Sequence, residues 1–555
     1  MEKYSNGGFK YSFFVFIFFI LVYLIPLGIS PLVEPDETRY AEIPREMIVN
    51  DNWVVPYMDG IRYYQKPVLA YWMNAISELI FGYNAFAVRL ASALTTGLAA
   101  LLIYFFVRNF LKDKFIAALS SLVFLSFGMV LGIGTFAVLD AQTSFFLTGA
   151  LIMFYFAYKS KSQWTCNIFL ALSGLFTGGG FMTKGFLVFA VMAFAVAPFL
   201  IWEKKWKRMF TMMWVPIIFA IGISLPWAIA VYLRAPDFWK YFFFDQNVKR
   251  YFTDTAGQHP EPLWFLLPIL IAGTLPWTIQ LPSIVLGLRK NNFFKHPLMR
   301  YGICWVVLPF IFFSFCSGKL PTYVLPCFPP LAVFTAYGLY LYLKKDINGK
   351  IFSYTLKFLA IVFFIGGVGF ILYQLIAFTG KIPGLYLPNE YWKWIIAFIA
   401  ILIFIYFVKC SLKSKNIQNK LFLFAIAPIA IMAIKSVVIP DQIMYGKEQG
   451  KFILAQAKYI QPDTMVLAYP NMLHSVSWYL KRDNIYVYGN TGEFSHGLNY
   501  PDAKYRFIST KKLQELIKSG KHKGNIAFFM RGDFREGIPA SKIEDYKHRM
   551  MFSKL

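Results

Sequence analysis

Charged residues, and acidic residues above all, are scarce in this chain of 555 residues. Only 15% of the residues are charged, and 55 Lys and Arg residues outnumber 29 Asp and Glu residues. The composition is instead 57% hydrophobic and 19% aromatic, which leaves too little polar surface to cover the core of a soluble protein. The shortage of charge therefore argues against a soluble enzyme and predicts an integral membrane protein.

Cysteine and histidine are also rare, with five Cys and six His residues in the chain. All five cysteines lie in or beside apolar segments, and no two of them form a CxxC pair. The sequence therefore indicates neither a disulfide framework nor a zinc site.

What the chain has in abundance is long apolar runs, about thirteen of which could span a bilayer. They cover approximately residues 11–30, 84–107, 115–133, 140–158, 165–181, 185–202, 209–232, 263–288, 301–316, 323–343, 352–377, 391–409 and 421–439. No small-residue cleavage site follows the first run, so we expect a retained helix and not a signal peptide.

The net charge of +26 would suit a nucleic-acid-binding protein, but the basic residues concentrate in alternate short loops between apolar runs. Cytoplasmic loops of membrane proteins collect Lys and Arg in this way. We therefore expect no nucleic acid partner, and we place the basic loops and the N-terminus in the cytoplasm. An odd number of spans then puts the C-terminus outside.

Two kinds of region follow from this topology. Residues 1–440 should form an all-α transmembrane domain with long outer loops near 31–83 and 233–262. The first of these loops mixes aromatic, apolar and charged residues, which favours short helices in the membrane interface. Residues 441–555 alternate strand-like and helix-like segments, which predicts a small soluble α/β domain on the outer side.

Acidic residues that could carry chemistry occur at two places on the outer side. Asp36 and Glu37 follow the first span directly, and Asp140 lies at the outer end of the fourth. Carboxylates at a membrane boundary are costly unless they are solvated or paired, so both places are functional candidates. The alternatives are a solvated turn for Asp36 and a helix N-cap for Asp140.

Cationic side chains of the outer loops could hold a lipid phosphate close to the membrane. Snorkelling to lipid headgroups is the alternative for the lysines, and a lone histidine is more often structural. The candidates are Arg39, Lys66, Lys184, Arg250, His259 and Lys319. A carboxylate, a phosphate-binding cluster and an apolar groove are what glycosyl transfer at a membrane surface requires.

Seven motifs in order along nearly the whole chain resemble one family. They are PDETRYAEIPREM, RYYQKPVLAYW, GTFAVLDA, TKGF, QHPEPLWFLLP, SGKLPTYVLPCFPPLA and GEFSHGLNYPD. The sequence resembles the lipid A 4-amino-4-deoxy-L-arabinose transferases, which have the GT-C fold of the protein mannosyltransferase-like superfamily. The resemblance implies an inverting transfer of the sugar from undecaprenyl phosphate to a lipid A phosphate at the periplasmic face of the bacterial inner membrane. It also implies thirteen transmembrane helices and a periplasmic C-terminal domain.

The same resemblance implies roles for particular residues. Asp36 and Asp140 match the family's two important acids. Arg39, Tyr63, Lys66 and Tyr323 match groups that hold the donor phosphate, whereas Lys184 and Arg250 match basic positions that line the cavity. From the residue pattern we add His259 and Lys319 as candidate substrate contacts.

One departure from the family pattern concerns metal binding. The family usually has a glutamate, which looks like a metal contact, where this chain has Gln65. An amide is a poorer ligand than a carboxylate for a divalent cation. We therefore predict that no metal is required, and that direct displacement by an already anionic acceptor needs little help from a base.

Two alternatives to this function are open at the level of sequence. A transferase of the same fold could move another sugar, such as galactosamine to lipid A or mannose to protein. A lipid transporter or flippase fits less well, because transporters usually show internal repeats and this chain shows none.

Overall fold

The computed structural model describes residues 5–249, 260–289, 293–519, 525–531, 543–545 and 550–554. Within them, ten helices are long and apolar enough to cross a membrane. These are Lys10–Gly28, Ala85–Leu111, Leu139–Lys159, Gln163–Lys184, Lys207–Arg234, Pro297–Ser314, Pro321–Lys345, Lys350–Ala377, Pro388–Lys413 and Ile417–Ile434. The chain is thus a multi-pass helical membrane protein, as its composition predicts.

The remaining three predicted spans take less regular forms. Two are helix pairs bent at a short break, Lys114–Leu125 with Gly128–Gly134 at 66° and Leu266–Gly273 with Trp277–Arg289 at 91°. The third is Leu187–Trp202, an apolar helix of 16 residues. At about 1.5 Å per residue, this helix is shorter than a bilayer core of about 30 Å.

The two bent pairs pack against each other where each is broken. The backbone N–H of Gly128 donates to the carbonyl of Leu275 at 3.1 Å. The indole N–H of Trp277 donates to the Ser126 hydroxyl at 2.9 Å. Broken helices are tolerated within a membrane only where the freed backbone groups find partners in the protein. These two contacts supply part of that compensation for the two breaks.

The segment predicted to be the first outer loop, near 31–83, folds into two helices separated by a small ribbon. Helix Asp36–Val49 is followed by the antiparallel strands β1 (Tyr57–Met58) and β2 (Ile61–Arg62), and then by helix Leu69–Phe81. The second helix exposes a set of large apolar side chains, namely Ile76, Leu79, Ile80 and Phe81. An exposed apolar face beside the bundle is what a helix in the membrane interface requires.

The C-terminal region forms a mixed sheet of six strands in the order β5-β4-β3-β6-β8-β7. The strands are β3 (Met465–Ala468), β4 (Tyr486–Tyr488), β5 (Phe507–Ile508), β6 (Ile526–Arg531), β7 (Ile543–Asp545) and β8 (Met550–Lys554). The first four are mutually parallel, whereas β8 runs antiparallel to β6 and β7. Helices Pro470–Leu480 and Thr510–Ser519 connect parallel strands. The predicted α/β character of the tail is confirmed.

This C-terminal sheet region is fixed to the ribbon of the first outer loop by a buried ion pair. Arg506 lies 3.1 Å from the carboxylate of Asp59, which also accepts from the Ser477 hydroxyl and the Ile485 N–H, both at 3.1 Å. A Cβ atom on Gly60, whose φ is +65°, would lie only 2.6 Å from the carbonyl of Asp483. Only glycine fits this turn without displacing the sheet region.

Candidate active site

A cavity of about 510 Å³ opens among the helix ends, the first outer loop and residues 246–247 of the second. Six predicted residues line it: Asp36, Arg39, Lys66, Asp140, Lys184 and Tyr323. Its wall also contains apolar side chains, among them Ile133, Val138, Leu187, Leu320 and Pro321. Residues from six separate stretches of sequence therefore meet in one pocket that is charged in one part and apolar in another.

The adjacent acids Asp36 and Glu37 have separate environments, although both stand in the first turn of helix Asp36–Val49. Glu37 is fully buried and accepts from Arg89 Nε at 2.7 Å and Nη2 at 2.6 Å. It also accepts from the Ala137 N–H at 3.0 Å. The side chain of Asp36 remains 49% exposed and lines the cavity. Glu37 therefore fixes the loop to the helix bundle, and Asp36 is the acid available to a ligand.

Asp140 and Lys184 form an ion pair at 2.5 Å in the wall of the cavity. Asp140 stands in the first turn of helix Leu139–Lys159, and Lys184 is the last residue of helix Gln163–Lys184. The N-cap of the former helix is Val138, so the N-cap alternative for Asp140 is wrong. Lys184 Nζ also lies 5.1 Å from the centre of the Tyr323 ring. The pair joins the ends of two helices at the cavity wall.

Arg39 lies between two carboxylates that come from distant parts of the chain. Its Nη1 is 3.2 Å from Asp36, and its Nη2 is 2.9 Å from Glu493 in the C-terminal region. Its Nε–H is buried and has no hydrogen-bond acceptor among the described residues. The hydroxyl of Thr322, another cavity residue, is likewise buried without a partner in the part of the chain that the structure describes. Buried donors without partners are costly, and an anionic or hydroxylated ligand would satisfy them.

Glu493 accepts hydrogen bonds from several side chains at once. Besides Arg39, it accepts from the Tyr63 hydroxyl at 2.5 Å, His474 Nε2 at 2.7 Å and Gln65 Nε2 at 3.4 Å. Burial alone would raise the pKa of Glu493. The charges of Arg39 and His474 and the hydrogen bonds from His474 and Tyr63 outweigh burial and hold that pKa well below its usual range. Glu493 is therefore an anion at any physiological pH.

Four of the predicted site residues lie outside the cavity lining or outside the described residues. Tyr63 is 3% exposed, and its hydroxyl donates to Glu493 instead of facing the pocket. Lys319 is 5% exposed and donates to the carbonyl of Glu261 at 2.5 Å. Arg250 and His259 lie in the gap between residues 249 and 260, outside the described part of the chain.

Sequence reasoning did not identify Glu493, His474 or Thr322 as site residues. Glu493 and Arg39 are 454 positions apart, and only the fold brings them together. The signal for Glu493 was its place in GEFSHGLNYPD, one of the seven motifs. Thr322 precedes Tyr323 directly, so the motif KLPTY already contained it.

Comparisons with known proteins agree with this architecture. The family model for dolichyl-phosphate-mannose-protein mannosyltransferases matches residues 9–242, and the one for the C-terminal domain of arabinosyl transferase ArnT matches residues 444–554. The solved structure of ArnT from Cupriavidus metallidurans bound to undecaprenyl phosphate superposes with a TM-score of 0.82 at 19% identity, over 99% of this chain and 98% of that one. That similarity shows a shared fold.

Curated relatives carry the assignment further. An undecaprenyl phosphate-α-4-amino-4-deoxy-L-arabinose arabinosyl transferase from Shewanella sediminis is 36% identical, over 90% of either chain. The enzyme of the same name from Photorhabdus laumondii is 37% identical, over 93% of this chain and 92% of that one. The resemblance seen in the seven motifs is thereby confirmed, and the chain belongs to the family of undecaprenyl phosphate-α-4-amino-4-deoxy-L-arabinose arabinosyl transferases.

Proposed function

We propose that this protein transfers 4-amino-4-deoxy-L-arabinose from undecaprenyl phosphate to a phosphate group of lipid A. The family supplies the donor and the sugar, because its curated members are named for both. The observation that carries the proposal is the shared cavity of Asp36, Arg39 and Lys66, which has cations, an available acid and apolar walls. A pocket of that kind suits a lipid-linked phosphate headgroup better than a water-soluble sugar nucleotide.

The reaction needs neither an added base nor a net proton transfer. An oxygen of the acceptor phosphate attacks the anomeric carbon, and the bond from that carbon to the undecaprenyl phosphate oxygen breaks. The leaving phosphate keeps the electron pair and goes from a monoanion to a dianion, while the acceptor phosphate loses one negative charge. Charge therefore builds up on the leaving phosphate, where fixed cations stabilise the transition state most effectively.

The geometry supports different roles for different cavity residues. Asp36 faces the pocket and can stabilise positive charge that develops at the anomeric carbon, as carboxylates do in glycoside hydrolysis. Lys66 and Arg39, together with the hydroxyls of Tyr323 and Thr322, can bind the leaving phosphate. Asp140 and Lys184 neutralise each other at 2.5 Å, so we assign this pair to shaping the cavity wall.

The location of the reaction is part of the proposal. The concentration of Lys and Arg in alternate loops supports a location of the cavity and of the domain at 441–555 on the periplasmic side of the inner membrane. There the protein meets both lipid substrates within the bilayer. The added amino group is cationic and masks the negative charge of lipid A. Cationic antimicrobial peptides such as polymyxin then bind the cell surface less strongly.

Mass spectrometry of lipid A from cells with and without the gene tests this function. We expect the intact strain to show a lipid A species heavier by one aminopentose residue, and the deletion strain to lack it. Restoring the gene on a plasmid should restore the species and the tolerance to polymyxin. A hexosamine on lipid A would show that the transferred sugar is not aminoarabinose. Unchanged lipid A together with loss of a mannosylated protein would show that the acceptor is a protein.

Metal use is a separate prediction. The described residues contain no group of three or more His, Cys, Asp or Glu side chains placed to hold a metal ion. Gln65 directs its amide nitrogen to Glu493 at 3.4 Å, an arrangement that suits a hydrogen bond and does not suit a cation between the two side chains. The residues at this position thus do not fit a divalent metal.

We expect transfer by the purified enzyme to be unchanged by EDTA. In Gln65→Glu, two carboxylates would face each other, and either a divalent cation or a proton would be needed to relieve their repulsion. That variant should therefore respond to added metal and to chelation. Loss of wild-type activity in EDTA, restored by one particular cation, would contradict this prediction.

A further inference from the structure

Glu493 connects the C-terminal region to the cavity through a single side chain. It stands in the 3₁₀ turn Gly492–Phe494, which follows strand β4. From there its carboxylate reaches Arg39 of helix Asp36–Val49, at 2.9 Å, and His474 of helix Pro470–Leu480, at 2.7 Å. Of these partners, Arg39 lines the cavity, whereas Glu493 itself does not.

We infer that Glu493 is a positioning residue, which holds Arg39 in the orientation that binds the leaving phosphate of the lipid-linked donor. This inference rests on the proposed function and extends it to the C-terminal domain. The Arg39 guanidinium is bound on one side by Asp36 and on the other by Glu493. Its Nε–H is left without an acceptor among the residues that the structure describes. A phosphate oxygen would supply that acceptor, since guanidinium groups bind phosphates through several N–H donors.

The second effect of Glu493 is on Asp36. Because the Arg39 guanidinium is shared by Asp36 and Glu493, it does not fully neutralise either carboxylate, and it does not turn fully towards either one. If the charge at position 493 were removed, Arg39 would be free to close on Asp36, only 3.2 Å away, as a tight pair. That movement would take the cation from the phosphate and would mask the acid at the same time. Glu493 therefore keeps both groups available to the substrate.

Tyr63 acts through the same carboxylate. Its hydroxyl donates to Glu493 Oε2 at 2.5 Å, whereas Arg39 and His474 bind Oε1. Since Tyr63 is 3% exposed and does not line the cavity, its contact with the phosphate would be indirect. Tyr63 and His474 thus fix Glu493, and Glu493 fixes Arg39.

The test is steady-state kinetics of Glu493→Gln with the lipid-linked aminoarabinose donor, in detergent or nanodiscs. We expect kcat to fall by about 10- to 100-fold, the usual loss when a partner that orients a substrate- or metal-contacting residue is removed, while KM for the donor changes less than threefold. The kcat effect should dominate because the leaving phosphate gains its second charge only as the bond breaks. Binding of undecaprenyl phosphate alone, the dianionic product, should weaken by about tenfold.

Two control variants distinguish positioning of Arg39 by Glu493 from a general role in attaching the C-terminal domain to the rest of the protein. Asp502→Asn removes another carboxylate of the same segment, which pairs with Arg62 of the same loop at 2.6 Å but lines no part of the cavity. It should leave kcat within a factor of two. Adding Tyr63→Phe to Glu493→Gln should cause no further loss, because both changes act on one network.

Equal losses in Glu493→Gln and Asp502→Asn, or multiplied losses in the double variant, would overturn the inference. If Glu493→Gln is poorly folded, Glu493→Asp keeps the charge, withdraws it by one methylene and should show an intermediate kcat; full activity would likewise contradict us. Failure of the proposed function looks different, because the wild-type protein would then neither bind undecaprenyl phosphate nor transfer the sugar.

Discussion

Asp36→Asn is expected to lower sugar transfer by about 10³-fold, to the background of the assay, while the protein still folds and inserts. The carboxylate lines the cavity, with 49% of its side chain exposed, so its ion pair with Arg39 at 3.2 Å is open to solvent on the Asp36 side. Exposed pairs of this kind contribute little to stability. An uncharged amide of the same shape cannot stabilise positive charge at the anomeric carbon. Transfer to lipid A, measured by mass spectrometry alongside the yield and melting temperature of the purified protein, checks both halves of the expectation.

The neighbouring acid provides the matched control. Glu37→Gln leaves the buried Arg89 guanidinium without its counter-charge, which costs about 3–5 kcal/mol in typical buried pairs. We expect that variant to accumulate poorly and to melt at a lower temperature. Asp36→Asn should therefore lose activity at normal stability, and Glu37→Gln should lose stability first. An active Asp36→Asn enzyme would mean that the carboxylate only shapes the loop.

The membrane-spanning helices were the most predictable part of the fold, because the cost of placing polar backbone or charge in lipid acts on each segment separately. All thirteen predicted spans correspond to helical segments of the structure. The two sharp bends could not be predicted in the same way. Gly128 and Leu275 lie far apart in the chain, and the contact between them exists only in the folded bundle.

In the candidate site, too, features set by neighbouring residues in the sequence could be predicted, whereas features set by distant residues could not. An acid at the boundary of a span is visible in the sequence, and both Asp36 and Asp140 do line the cavity. Which of two adjacent acids faces the ligand is not visible, because the choice depends on Arg89, 52 positions further along. The direction of individual side chains could not be predicted from the sequence either, since Lys319 donates to the backbone carbonyl of Glu261 and Tyr63 donates to Glu493.

Lys66→Ala is the second variant for which we expect near-complete loss, by roughly 10²- to 10³-fold in kcat. Lys66 lies between strand β2 and helix Leu69–Phe81, and it lines the cavity with Asp36 and Arg39. As the sugar departs, the leaving phosphate acquires a second negative charge, and a lysine close to it stabilises the transition state more than the bound donor. The loss should therefore appear mainly in kcat, and Lys66→Arg should recover only part of it, because a guanidinium is larger and differently shaped.

The control for Lys66 is Lys381, another lysine of a predicted outer loop, which is exposed and lies outside the cavity lining. Lys381→Ala removes the same charge from the same side of the membrane, so any general attraction of anionic lipids to that surface is reduced to the same extent. If Lys66 acts on the leaving phosphate, Lys381→Ala keeps normal transfer while Lys66→Ala loses it. Comparable losses in both variants would mean that lysines serve here as a diffuse attractive surface, and near-normal lipid A modification by well-expressed Lys66→Ala would remove this residue from the phosphate site.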